Sequence, residues 1–329
     1  MEKGYAMESM ARDRITLRYL AAPGDATADG ASVQAGSVLE WIDKAGYACA
    51  VGWAGNSCVT AYVGNVNFDR PITPGDLVEA RARVIHTGRT SIHVSVTILS
   101  ADTRHPLFEL ATHCILIFVS VDENGRPTEV PRWTAHDLQD LELSAGAEGR
   151  VAARALIHEE MKQQSYTDDG TAPKTVLRFL AAPSVVNYGG NAHGGTVMRW
   201  IDDAARTCAA SWSGHEAVAA YSGGIHFYRP IHIGDLVEVE ARLIHTGAKS
   251  MHIAIHVRSG NPTAGLMELT TQCMSILVVK GDDGRAIEIP RFEPVSAEDL
   301  ALDAHALQLV EMRAALKSLP VEVDSVTSY

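Results

Sequence analysis

The sequence predicts an α+β fold built twice in one chain. Two observations carry that expectation. Long passages recur in the same order: LRYLAAP (17–23) returns as LRFLAAP (177–183), AYVGNVNFDRPI (61–72) as AYSGGIHFYRPI (220–231), and GDLVEARARVIHTGRTS (75–91) as GDLVEVEARLIHTGAKS (234–250). Each copy also reads as one helix followed by long stretches rich in Val, Ile and Thr. That order suits an antiparallel sheet curled round a single helix rather than alternating βα units.

The copies keep a nearly constant offset. Asp43 and Asp202, His86 and His245, and Cys114 and Cys273 are each 159 residues apart, while Pro23 and Pro183 are 160 apart. A period of this length marks duplicated domains, because solenoid repeats run about 20–50 residues. A chain of 329 residues suits two domains, each able to bury its own core. The expected boundaries are a first domain over 14–133, a linking helix and loop over 134–172, a second domain over 173–293, and a C-terminal helix and tail over 294–329.

Within the first copy, segment 15–22 is strand-like. Residues 36–53 place Val38, Ile42, Ala45 and Cys49 at helical spacing. Ala45, Gly46, Ala48 and Ala50 give that helix a thin profile for close packing on a sheet. Strand-like stretches follow at 57–69, 77–99 and 107–121, the middle one broken by a hairpin turn at His86-Thr-Gly88. Gly75-Asp76 marks the turn before it. The second copy repeats the order: strand 175–182, helix 195–213, strands 216–228, 236–257 and 266–280. Each copy ends in a helical tail, 134–163 and 296–318, and a polar loop over 164–172 separates the copies.

Composition narrows the function. A formal charge of −12 argues against a nucleic-acid partner, which needs a basic footprint. No run approaches the ~18 apolar residues of a membrane span, and the N-terminal residues Glu2, Lys3, Glu8, Arg12, Asp13 and Arg14 do not form a signal peptide. The five cysteines include no CxxC, and the pairs Cys49/Cys208 and Cys114/Cys273 sit in apolar segments. They read as buried free thiols of a cytoplasmic protein. The histidines show no ligand spacing with Cys or carboxylates, so no metal is expected.

The chemistry concentrates where the copies differ. Asn191-Ala192-His193-Gly194-Gly195 opens the second long helix, whereas the first copy has Ser32-Val33-Gln34-Ala35-Gly36. Backbone N–H groups at a helix start lack intrahelical partners and lie at the positive end of the dipole. They suit a polarised carbonyl, and glycine permits close approach. Asp202 follows about two turns later, ~12 Å along the axis, too far to act on the same atom. If the two helices run antiparallel, Asp43 of one copy faces the glycine pair of the other. Taken singly, Asp43 and Asp202 also fit solvent-facing helix positions, His193 fits a cap, His86 and His245 fit turns, and Arg70 and Arg229 fit ion pairs.

The order N-x-H-G-G, an acid eight residues after the first Gly, F-x-R-P-I, G-D-x-V and G-x-x-S resembles the hotdog-fold acyl-CoA thioesterases, the tandem-domain acyl-CoA hydrolases above all. The likeness covers roughly 14–130 and 173–290. It implies two hotdog domains paired as a pseudo-dimer, a homo-oligomer (a trimer of double hotdogs), an acyl-CoA substrate and no cofactor beyond the CoA of that substrate. Carried over, it implies one site from Asn191, His193, Gly194 and Gly195 with Asp43 as general base or nucleophile. A second would combine Ser32, Gln34, Ala35 and Gly36 with Asp202. That one departs from the family pattern at the Asn, the His and the first Gly. The G-x-x-S turns, Arg89, Thr90 and Ser91 with Lys249 and Ser250, are expected near the CoA. Two other readings fit the same fold: a non-catalytic acyl-CoA or lipid sensor, and an enoyl-thioester hydratase or dehydratase. The latter lacks its D-x-N-P stretch here.

Overall fold

The computed structural model describes residues 12–187 and 189–314, apart from the side chains of Pro106 and Gln139. These residues form two compact units, 12–148 with 194–196, and 149–193 with 197–314.

The first unit holds β1 (Arg14–Leu20), α1 (Ala35–Ala54), β2 (Cys58–Val63), β3 (Val66–Asn67), β4 (Asp76–Thr87), β5 (Ser91–Asp102) and β6 (His105–Ser120). Its antiparallel sheet runs β1-β4-β5-β6-β2, and α1 packs against all five strands. The thin profile of α1 is what allows this. Ala45, Cys49 and Ala50 are fully covered, and a Cβ on Gly46 would stand 2.9 Å from Cε2 of the buried Phe118. Gly46→Ala is therefore expected to cost about 1–3 kcal/mol of stability, read by urea denaturation, despite alanine's better helix propensity. Gly55 ends α1 in the left-handed conformation, at φ 70°, and its N–H bonds to Val51 O at 2.9 Å.

The second unit holds β7 (Lys174–Leu180), β8 (Val218–Phe227), β9 (Leu236–Thr246), β10 (Met251–Gly260) and β11 (Glu268–Val278), ordered β8-β11-β10-β9-β7 and again antiparallel. Its long helix α3 (Gly194–Ser213) begins with the second glycine pair and buries Met198, Ile201, Ala205 and Cys208. Two more helices, α2 (Leu138–Lys162) and α4 (Ala297–Ala314), pack against strand residues. Leu143 and Ala147 of α2 cluster with Ile85 and Ile115 in the first unit. Ile157 and Met161 of α2 join Leu302, Ala306 and Leu309 of α4 on Ile244, Ala254 and Met274 in the second.

The turns follow their sequence signatures. Gly75 and Gly234 adopt φ 97° and 91°, and the next carboxylate closes each turn, Asp76 accepting from Thr73 N and Asp235 from His232 N. In the hairpins, Gly88 N–H donates to Ser91 O and Gly247 N–H to Ser250 O, both at 2.9 Å. Arg70 pairs with Glu109 and Arg229 with Glu268.

Candidate active site

Asp43 lies in the middle of α1 with no exposed surface. A buried carboxylate is costly unless its oxygens are satisfied. Here Oδ2 accepts the Gly195 N–H at 2.7 Å, and Oδ1 accepts the Thr60 hydroxyl at 2.8 Å. Gly194 and Gly195 open α3 and cluster with the first unit, so the start of that helix sits directly on the acid. The approach is too close for side chains. A Cβ on Gly195 would lie 2.9 Å from the Glu40 Cα and 3.2 Å from the Asp43 Cβ. A Cβ on Gly194 would lie 2.9 Å from Thr60 Oγ1 and 3.2 Å from both Asp43 oxygens. Glycine at 194 thus leaves space beside the carboxylate that any other residue would fill.

Thr60 was not singled out in the sequence. It lies on β2, where register slips between Thr60 and Tyr62 at the bulged Ala61, and its hydroxyl points to α1. The signal available was comparison of the repeats, since the matching residue is Ala219, which has no hydroxyl. Cys114 is close enough to feel the acid. Burial first, then the Asp43 charge, push its thiol pKa far up, so it is not a thiolate nucleophile.

Asn191 and His193 lie on the half-buried approach to α3. Asn191 is braced there by Asn187, whose Oδ1 accepts its N–H at 3.1 Å and whose own N–H bonds to Asn191 O at 2.7 Å. The Asn191 side-chain amide donates to Gly189 O at 3.3 Å. His193 N–H donates to Val185 O, and its carbonyl accepts Val197 N–H, beginning the helical ladder. The first copy has kept this frame and changed its groups. Gln34 caps α1 through its carbonyl, to Ser37 and Val38, while its side-chain amide donates to Ala26 O at 2.6 Å. Ser32 accepts from Thr27 N–H at 2.7 Å. Ala35 and Gly36 form the first turn of α1, so a Cβ stands where the second copy has Gly194.

Asp202 is buried too, yet its surroundings differ. Arg206, one turn on, places Nε 3.2 Å from Asp202 Oδ2 and bonds Asp203 at 2.8 Å. The position of Arg206 is Tyr47 in the first copy. Asp202 thus carries a cation alongside it, and Ala219 stands at the position that supplies the Thr60 hydroxyl to Asp43.

Of the hairpin residues, Arg89 is 80% exposed, 3.9 Å from Glu129, and the Ser91 hydroxyl packs over Gly88, where a Cβ would lie 2.6 Å away. Ser250 does the same over Gly247, with its hydroxyl 3.5 Å from His252 Nε2. Lys249 and Thr90 occupy matching turn positions, and Ser120 N–H bonds to Thr90 O at 3.0 Å. His86 and His245 end their strands and contact helix carboxylates, Glu148 at 3.3 Å and Asp303 at 2.7 Å. No group of three or more His, Cys, Asp or Glu among the described residues is arranged to hold a metal ion, and no described helix is long and apolar enough to cross a membrane.

Comparison with known proteins places the chain in a family. The family model described as the thioesterase superfamily matches twice, over residues 32–106 and 189–265. A human cytosolic acyl coenzyme A thioester hydrolase is 25% identical over 300 residues, 84% of this chain and 77% of that protein. An uncharacterized acyl-CoA thioester hydrolase of Haemophilus influenzae is 32% identical over 128 residues, 38% of this chain and 82% of its own length. Among solved structures, a provisionally assigned oleoyl thioesterase from Lactobacillus plantarum shares the fold, with TM-score 0.57 over 83% of this chain and 99% of that one at 8% identity. Two hotdog domains in tandem, one for each family match, make up this chain, which belongs to the thioesterase superfamily.

Proposed function

We propose that this protein hydrolyses acyl-CoA thioesters to free CoA and a carboxylic acid, with Asp43 as the reacting carboxylate. One observation carries the assignment: a fully buried carboxylate bonded to a helix-initial glycine N–H, beside space that only glycine at 194 leaves open. The names of relatives that match most of the chain, cytosolic acyl coenzyme A thioester hydrolases, support the substrate class.

The roles divide as follows. The Gly195 N–H is spent on Asp43, so it orients the carboxylate. The Gly194 N–H, first in α3 and without an intrahelical partner, polarises the thioester carbonyl at the positive end of the helix dipole. Asn191 and His193 position the carbonyl or the water. Asp43 acts as general base: held by the Gly195 N–H and the Thr60 hydroxyl, it takes the proton from water while hydroxide adds to the carbonyl carbon. The C–S bond then breaks, and the CoA thiolate leaves and is protonated. A direct attack by Asp43 would instead pass through an anhydride. Single turnover in ¹⁸O-water separates the two, because only the anhydride route can leave label on Asp43. Neither route calls for a metal or cofactor.

Arg89, Thr90, Ser91, Lys249 and Ser250 are assigned to the CoA phosphates and pantetheine by charge and turn position. The acid near Arg206, Asp202, contributes little to turnover. Exposed leucines on the outer helices, Leu138, Leu156, Leu300 and Leu307, support self-association as a homo-oligomer, and the relatives' names support a cytosolic location.

A thiol-release assay across short, medium and long acyl-CoAs tests the activity. Hydrolysis of at least one is expected; CoA binding without release would favour the sensor instead. Thr60→Val keeps shape and removes one bond to a charged acceptor, worth about 1.5–3 kcal/mol. A drop of about 10–100-fold in kcat/KM is expected, and unchanged turnover would remove Thr60 from the site.

A further inference from the structure

The cover of the second sheet is unusually rich in histidine. His226 on β8 and His252 and His256 on β10 lie on the face beneath α2 and α4, and His158 and His305 come down from those helices. The rings are packed together. His158 and His226 have centroids 4.1 Å apart, with Tyr228 alongside; His256 meets Tyr166 at 4.2 Å; His252 meets His245 edge-on at 4.9 Å.

We propose that this interface is an acid-released latch: α4 and the last turns of α2 stay seated while the imidazoles are neutral, and lift from the second unit's sheet when the rings take up protons.

The surrounding charges explain why a proton is not tolerated in the closed state. From α4, Arg313 is buried, with Met161 Sδ at 3.7 Å and the face of Tyr221 at 5.5 Å among the described residues. It acts on His226, His252 and His305 together. From α2, Lys162 and Arg154 add positive charge near His226. From β9 and β10, Arg242 and Arg258 do so near His256. The carboxylates of the interface are already paired: Glu240 and Glu298 with Arg242 at 2.9 and 2.8 Å, Asp303 with His245 at 2.7 Å, and Glu160 with His305 at 3.3 Å. Glu159 on α2 favours a proton on His158, against burial and Lys162.

Burial first, then the neighbouring imidazole (His245 for His252, His158 for His226) and these cations, hold His252 down to about 4 and His226 and His256 to about 3. His158 and His305 are lowered too, in both cases chiefly by burial. A ring whose pKa is lower closed than open stabilises the closed state above the open-state value, ~6.5, and that stability is lost as pH falls below it. Opening is thus favoured about tenfold per ring between pH 7.5 and 5.5, and about a thousandfold for the three sheet rings.

The duplication supplies the control. At the positions of His226, His252 and His256 the first copy carries Asn67, His93 and Thr97. Hydrogen exchange by mass spectrometry, with protection factors corrected for intrinsic rates, reads the latch on residues 297–314 at pH 7.5 and 5.5. Protection there is expected to fall about a thousandfold in the native protein, and about tenfold in His226→Asn/His256→Thr, while α1 and β4 to β6 keep theirs. His256→Thr alone, the milder change, is expected to give a fall of about a hundredfold. Equal falls in native and variant proteins, no fall in the native protein, or uniform loss across the whole chain would each overturn the proposal.

Discussion

Asp43→Asn is expected to lower kcat/KM for acyl-CoA hydrolysis by ~10³ or more, while Asp202→Asn lowers it by less than about tenfold. Both substitutions keep size and shape. In each, an amide replaces a buried acid in the middle of a long helix, so simple damage to packing predicts similar losses. The two acids differ in what surrounds them. Asp43 holds the Gly195 N–H and the Thr60 hydroxyl. Asp202 has Arg206 within 3.2 Å, and alanine stands where the threonine would be. A carboxylate next to a guanidinium is a weaker base, because the charge stabilises its ionised form. Steady-state thiol release on both variants, with circular dichroism to confirm folding, decides the matter. Equal losses would rule out a single working site built on Asp43.

Gly195→Ala should be as damaging to turnover, by a different route. The added Cβ would come within 2.9 Å of the Glu40 Cα, which is backbone and cannot swing aside. The start of α3 must retreat from α1, lengthening the 2.7 Å bond from Gly195 N–H to Asp43 and moving the Gly194 N–H away from the carbonyl. Displacements of about 1 Å in such constellations cost ~10²-fold, and loss of an oxyanion donor ~10²–10³-fold. The fall should appear in kcat. Gly194→Ala makes the comparison informative, because its Cβ meets the Thr60 hydroxyl and the carboxylate oxygens rather than backbone. It should obstruct the substrate and raise KM, with the helix start left in place. Wild-type kcat in Gly195→Ala would show that contact with Asp43 is not part of catalysis.

Much of the architecture was legible in the sequence because its signals are local or repeated. The thin helix of Ala45, Gly46, Cys49 and Ala50 is written in small residues at helical spacing, and packing against five strands follows from that profile. The G-D turns and the hairpins at Gly88 and Gly247 are written in residues with unusual backbone freedom or short polar side chains. Arg70 and Arg229 fit ion pairs in the sequence, and each has a carboxylate partner in the structure. Thr60 was hidden because one hydroxyl on a strand of Cys, Val, Ala and Tyr does not announce its partner. Arg206 was hidden because an arginine in a helix usually faces water.

By itself the sequence determined the duplication, the one-helix-and-five-strand plan of each copy, the family, and the place where the two copies part chemically. These follow from periodicity and from motifs whose order survives in the chain. Only the tertiary structure decided which hydrogen-bond donors reach Asp43, that Gly195 is used to hold the acid while Gly194 leaves room beside it, and that the histidines of the second copy share one buried face. The physical reason is distance along the chain. The bond from Gly195 to Asp43 joins residues 152 positions apart, and His305 meets Glu160 across 145. No local pattern encodes such meetings, which exist only once helices and sheets have packed.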